Sequence, residues 1–132
     1  MKKQILIYGF IAVVVVVAIV GISILAVNNS GKAYLPEHEY AMVELGSADC
    51  AQCQLLKPEF ERVQEIYGNK IDIVYFDIKN TKQGAAYANQ YRVNLTPTII
   101  FVNKAGEEIK RVTGYQSREE LVKILRELGW IE

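Results

Sequence analysis

Residues Ile5 to Val27, ILIYGFIAVVVVVAIVGISILAV, run for 23 positions without one charged side chain. As a helix such a run spans ~34 Å, slightly more than the hydrocarbon core of a bilayer. A chain of 132 residues holds too little else to wrap that helix on every side. Residues 1–27 are therefore expected to form one N-terminal transmembrane helix. A cleaved secretory signal is the rival reading, but its apolar region is normally ~7 to 15 residues and ends at a small-residue cleavage site. This run is longer, and Ile24-Leu25-Ala26 matches such a site poorly. An uncleaved signal anchor is preferred. Lys2 and Lys3 precede the run, so the positive-inside tendency puts the N-terminus in the cytoplasm. The chain beyond Val27 is then extracytoplasmic, on a single-pass protein of the cytoplasmic membrane.

The rest is short enough for one domain. Residues 28–35, NNSGKAYL, read as a linker of at most ~27 Å when extended. Residues 36–132 read as the domain. Asn28-Asn29-Ser30 fits a glycosylation sequon, although a solvated tether accounts for it as well. Without Lys2 and Lys3, 13 of the 15 basic residues remain against 15 acidic ones. So even a balance carries no basic stripe and argues against nucleic acid as a partner. His38 is the only histidine. It reads as an exposed linker side chain.

Hydrophobic periodicity gives the element order. Ala41–Leu45 is a strand ending at Gly46-Ser47, and Cys50–Tyr67 an amphipathic helix with Leu56, Phe60 and Val63 on one face and a kink expected at Pro58. Ile71–Phe76 reads as a buried strand and Thr81–Tyr91 as a weaker helix. Thr98–Val102 and Glu108–Thr113 form a hairpin around Gly106. Ser117 to Glu120 is a capping box ahead of a final helix that stops at Gly129. That order predicts an α/β domain with a mixed central sheet flanked by helices.

The chemistry is concentrated in ADCAQC, which holds both cysteines. A zinc site needs four ligands, so it would require two copies of this chain to share their pairs. A structural disulfide across so small a loop would stabilise little. A redox pair is the remaining reading. Cys50 lies where the helix begins, and there unpaired backbone N–H groups and the helix dipole favour its thiolate. Cys53, one turn on, can resolve a mixed disulfide. Asp49 opposes the thiolate of Cys50. Glu44 has two readings: a solvated edge-strand carboxylate, or a buried one with a raised pKa beneath the cysteines. Pro97 opens a strand and, on sequence alone, would be trans.

The sequence resembles the thioredoxin superfamily through Cys50-Ala-Gln-Cys53, Pro58, Thr96-Pro97-Thr98 and Gly114, over about Pro36 to the C-terminus. With Val43 to Ser47 leading to the cysteines, it is most similar to membrane-anchored bacterial thioredoxin-like proteins. The resemblance implies a thioredoxin-like fold whose first strand is short or missing, since the 22 residues between Val27 and Cys50 leave little room for it. It implies that Glu44 is the buried proton shuttle of Cys53, that Pro97 is cis, and that Thr96 receives an extended substrate by strand addition. Two departures stand out: Asp49 replaces the usual Trp, and Ala51-Gln52 the usual Gly-Pro, and the latter bears on redox potential.

The expected function is that of a membrane-anchored thiol-disulfide oxidoreductase, reducing disulfides of exported proteins. Its cofactor is its own Cys50/Cys53 disulfide, with no metal. Its partners are proteins carrying disulfides or thiols and, by resemblance, an integral membrane thiol electron conduit. A disulfide-forming oxidase and a non-catalytic module that docks an extended peptide are the alternatives.

Overall fold

The computed structural model describes residues 1–27 and 34–132, without the side chains at positions 2, 6 and 20–27. The linker residues 28–33 and the sequon Asn28-Asn29-Ser30 lie outside the described residues. The chain divides into two compact units, Met1–Lys32 and Ala33–Glu132.

The first unit is α1, Lys2–Val27, a helix of 26 residues. Its described apolar side chains, from Ile5 to Ile19, are exposed all round. Counted over the described residues alone, no helix is long and apolar enough to cross a membrane.

The second unit runs through β1 (Tyr40–Gly46), α2 (Ala51–Tyr67), β2 (Asp72–Asp77), α3 (Lys82–Gln90), β3 (Thr98–Asn103), β4 (Glu108–Thr113) and α4 (Arg118–Glu127). The sheet order is β2-β1-β3-β4. β1 is parallel to β2 and antiparallel to β3, and β3 is antiparallel to β4. The first described strand is the one that leads to the cysteines, with no strand ahead of it among the described residues.

Alternation along β1 builds the two layers, because successive side chains leave a strand on opposite faces. Ala41, Val43 and Leu45 pack with Ala88, Tyr91, Ile100 and Val102 on the α3 face. Met42 packs with Leu56, Phe60, Val63, Phe101 and Leu125 between the sheet and helices α2 and α4. Glu44 has the parity of Met42, which carries a carboxylate into the layer beneath α2. The other elements have local causes. Ser117 and Glu120 close their capping box at the start of α4, Gly106 takes positive φ in the hairpin turn, and α2 continues without a break through Pro58.

Two expectations are corrected. Ile71–Phe76, read as a buried strand, corresponds to β2, which is an edge strand with Tyr75 47% exposed. A β-branched, aromatic run has the same composition at an edge as in a centre; no strand covers its outer side among the described residues. His38, read as an exposed linker residue, sits in the domain with Nδ1 2.5 Å from Asp72 Oδ1. Tyr34 and the backbone N–H groups of Glu37 and His38 donate to the same carboxylate. Burial pushes the Asp72 carboxyl up, but the hydrogen bonds from the His38 ring and from the Glu37 and His38 N–H groups outweigh it and bring it below its ordinary value.

Helix α3 is held closely to the turn after β2. Thr81 accepts from the Gly84 N–H at 2.9 Å and donates to the Asp77 carbonyl at 2.7 Å. A Cβ on Gly84 would lie 2.0 Å from that carbonyl oxygen. Gly84→Ala should therefore destabilise the domain by about 1–3 kcal/mol. An unchanged urea midpoint would reject this account of α3 packing.

Candidate active site

Two loops and one strand end build the site. Cys50 is the N-cap of α2, in extended conformation, and its sulfur accepts the Cys53 N–H at 3.3 Å. An N-cap is normally an oxygen residue because the first N–H groups of a helix lack partners; here a sulfur fills that place. The loop ahead is tied at both ends. Cys50 N–H donates to the Ser47 carbonyl at 3.1 Å, and the Ala48 N–H donates to the Asp77 carboxylate at 3.2 Å.

The two thiols are free and are displaced in opposite directions. Burial pushes Cys50 up, but hydrogen bonds from Cys53, the Thr96 side chain and the Gln52 N–H outweigh it, so its thiol lies below the ordinary value. Cys53 is only 4% exposed. Burial pushes it up to about 11, helped by its bond to Cys50 and by the charges of Cys50 and Glu44, against one lowering contact from the Ser47 backbone. Asp49, expected to oppose the thiolate, is exposed and lies 3.9 Å from Lys79.

Glu44 is 1% exposed, and burial raises its carboxyl to about 7. Its Oε1 has no hydrogen-bond partner among the described residues. A Cβ on Gly46 would lie 2.8 Å from that oxygen and 3.2 Å from Cys53 Sγ. Glu44 and Cys53 thus flank one small gap that glycine leaves open. On the other side of the cysteines the Thr96–Pro97 bond is cis, the Thr96 side chain reaches Cys50, and the Pro97 carbonyl accepts the Gly114 N–H at 2.8 Å.

The structure brings Cys50, Cys53, Glu44, Thr96 and Pro97 into one neighbourhood. Sequence reasoning passed over Gly46, Ser47, Tyr75 and Asp77. Asp77 left a legible trace: in Asp-x-x-Asn its carboxylate accepts the N–H groups of Lys79 and Asn80, an Asx-type turn. A hydrogen bond from the Asn80 side chain, with those backbone bonds and the one from Ala48, holds its carboxyl down at about 2. Tyr75 left none, because only strand register sets it beside Glu44.

An acidified sulfur one helical turn from a protonated one can open a disulfide and then close its own, which is the chemistry of a thiol-disulfide oxidoreductase. Comparison with known proteins supplies the family. Residues 27–129 match the thioredoxin-like domain, and the chain belongs to the thioredoxin superfamily. It is 32% identical to a thioredoxin of Staphylococcus epidermidis over 84 residues, 64% of this chain and 77% of that one. A Staphylococcus aureus thioredoxin is 31% identical over the same shares. Among solved structures, chloroplastic thioredoxin z aligns with a TM-score of 0.60 at 23% identity, over 70% of this chain and 80% of that one. The thioredoxin of Malassezia sympodialis aligns with 0.59 at 18%, over 74% and 78%.

The opposite displacement of the thiols has a direct readout. In the reduced protein at neutral pH, iodoacetamide should label Cys50 more than about tenfold faster than Cys53. Equal labelling in peptide mass spectra would reject the asymmetry. Glu44 also makes stability depend on pH. Its carboxyl gains a proton near 4.5 when unfolded and near 7 when folded, so the folded state binds more protons between those values. The stabilisation is complete below about 4.5, declines as pH rises towards 7 and is gone beyond it, a loss of roughly 3 kcal/mol. Glu44→Gln should flatten that slope in urea titrations, and a variant as pH-dependent as the wild type would contradict it.

Proposed function

We propose that the protein is a membrane-anchored reductant of disulfides in exported proteins. The observation that carries this reading is the pair of thiols at the start of α2, one below and one above its ordinary pKa. The Cys50 thiolate attacks a substrate disulfide and forms a mixed disulfide, and one substrate sulfur leaves as thiolate. Cys53 then passes its proton to Glu44 and attacks Cys50 Sγ. The second substrate thiolate leaves, and the Cys50–Cys53 disulfide holds the two electrons' worth of oxidation. That disulfide is the only cofactor the cycle uses. Thr96 and Pro97 position the substrate strand beside Cys50.

Reduction rather than oxidation is supported by what surrounds the sulfurs. Strong oxidants of this chemistry have a stabilised reduced form. Among the described residues the main influences on Cys50 are burial and hydrogen bonds from Cys53, Thr96 and Gln52, none of them a cation, and the Glu44 charge disfavours a thiolate at Cys53. Anchoring is supported by the uncharged run Ile5–Val27 and by the exposed apolar side chains of α1. Lys2 and Lys3 support a cytoplasmic N-terminus and an extracytoplasmic domain. Turnover then needs an electron donor on that side, and an integral membrane thiol conduit fits the need.

The test is trapping in intact cells with Cys53→Ser, which should accumulate mixed disulfides through Cys50. They should remain in carbonate-washed membranes, and the domain should be reachable from outside by an impermeant thiol reagent. Adducts confined to the soluble cytoplasm would sink the anchored reading, and no adducts would favour a docking module. A reduction potential near −270 mV is expected; one near −120 mV would mark an oxidase instead.

A further inference from the structure

Beside Cys53, and lined by neither Cys50 nor Pro97, a cavity of about 520 Å³ opens between α2 and the edge strand β2. Nothing pairs with the outer edge of β2 among the described residues, and a Cβ on the neighbouring Gly46 would press on three residues that line the cavity, Glu44, Tyr75 and Cys53. The size of the cavity is that of a small-molecule site. Phe60, Ile73 and Tyr75 give it apolar and aromatic walls. Glu44 is one of its lining residues, and one of that residue's carboxylate oxygens, Oε1, is buried and lacks any partner among the described residues. Buried acceptors in folded proteins are nearly always satisfied, so this oxygen calls for a donor. The other charged groups lining the cavity are Glu61, Asp77 and a single ammonium, Lys57, so the lining has an acidic excess.

From this combination we propose that the cavity binds a small organic cation, with an aromatic or branched apolar body against Phe60, Ile73 and Tyr75 and one charged nitrogen donating to Glu44. An anion would meet the carboxylates, and a neutral apolar molecule would leave Glu44 unpaired. Such a ligand touches Cys53 but not Cys50, and so acts from behind the substrate face. With its carboxylate paired, Glu44 is a poorer acceptor for the Cys53 proton, and an occupied cavity slows release of the mixed disulfide. That consequence rests on the role of Glu44 proposed above; the binding itself does not.

The test titrates the reduced full chain with benzylamine above neutral pH, with benzyl alcohol as the neutral isostere and benzoate as the anion, and follows backbone amide NMR signals. Benzylamine should shift Gly46, Cys53 and Tyr75 saturably in the millimolar range expected of a fragment. Benzyl alcohol, and benzylamine with Glu44→Gln, should bind about tenfold or more weakly. Ile73→Trp, which fills the cavity and keeps Glu44, should remove the shifts and provides the check if Glu44→Gln fails to fold. No saturable shift at those three residues, or equal binding of benzyl alcohol, overturns the site. Benzylamine that binds there yet leaves insulin reduction unslowed would count against the proton role of Glu44 and leave the site standing.

Discussion

The donation of the Cys53 N–H to the Cys50 sulfur is the contact on which the rest of the site depends. It makes a sulfur the cap of α2, so the first turn of the helix and the reactivity of the thiol have one cause. A thiolate in that place meets N–H groups that would otherwise lack partners, and the dipole of a 17-residue helix adds to their effect. The same turn places Cys53 against the sheet, where burial acts in the reverse direction. One backbone geometry therefore displaces the two sulfurs in opposite directions, Cys50 down and Cys53 up.

Glu44 completes this arrangement at a cost in stability. A carboxylate in the apolar layer with Met42 would be expensive if charged, so it is held protonated to about neutral pH. A group with that value can take a proton and return it near neutrality, which is what a resolving thiol needs. The gap over Gly46 keeps the carboxylate and Cys53 close without bonding them. The closeness of Glu44, Tyr75 and Cys53 thus depends on a strand end with a glycine where a side chain would otherwise intrude.

Much of the fold was legible because its signals are local. The capping box at Ser117, the turn at Gly106 and the apolar face of α2 each depend on residues within a few positions of one another. Cys50 at the start of α2 belongs to the same class. The edge position of β2 was not legible, since β-branched and aromatic residues suit a central strand equally well. Nor was the pairing of His38 with Asp72, 34 residues apart. For Glu44 the residues alone left two readings and for Pro97 they favoured trans; only family resemblance pointed to a buried Glu44 and a cis Pro97.

Sequence by itself determined the uncharged run at the N-terminus, the order of strands and helices, and the seating of one cysteine at a helix start, because each arises from spacing along the chain. Tertiary structure alone decided which faces those elements turn to one another. Among the described residues it buried Glu44 with its Oε1 unpartnered, left the outer edge of β2 unpaired and set Tyr75 close to Gly46. The reason is that burial and register come from contacts between distant segments, and these acquire a value only when the sheet has closed.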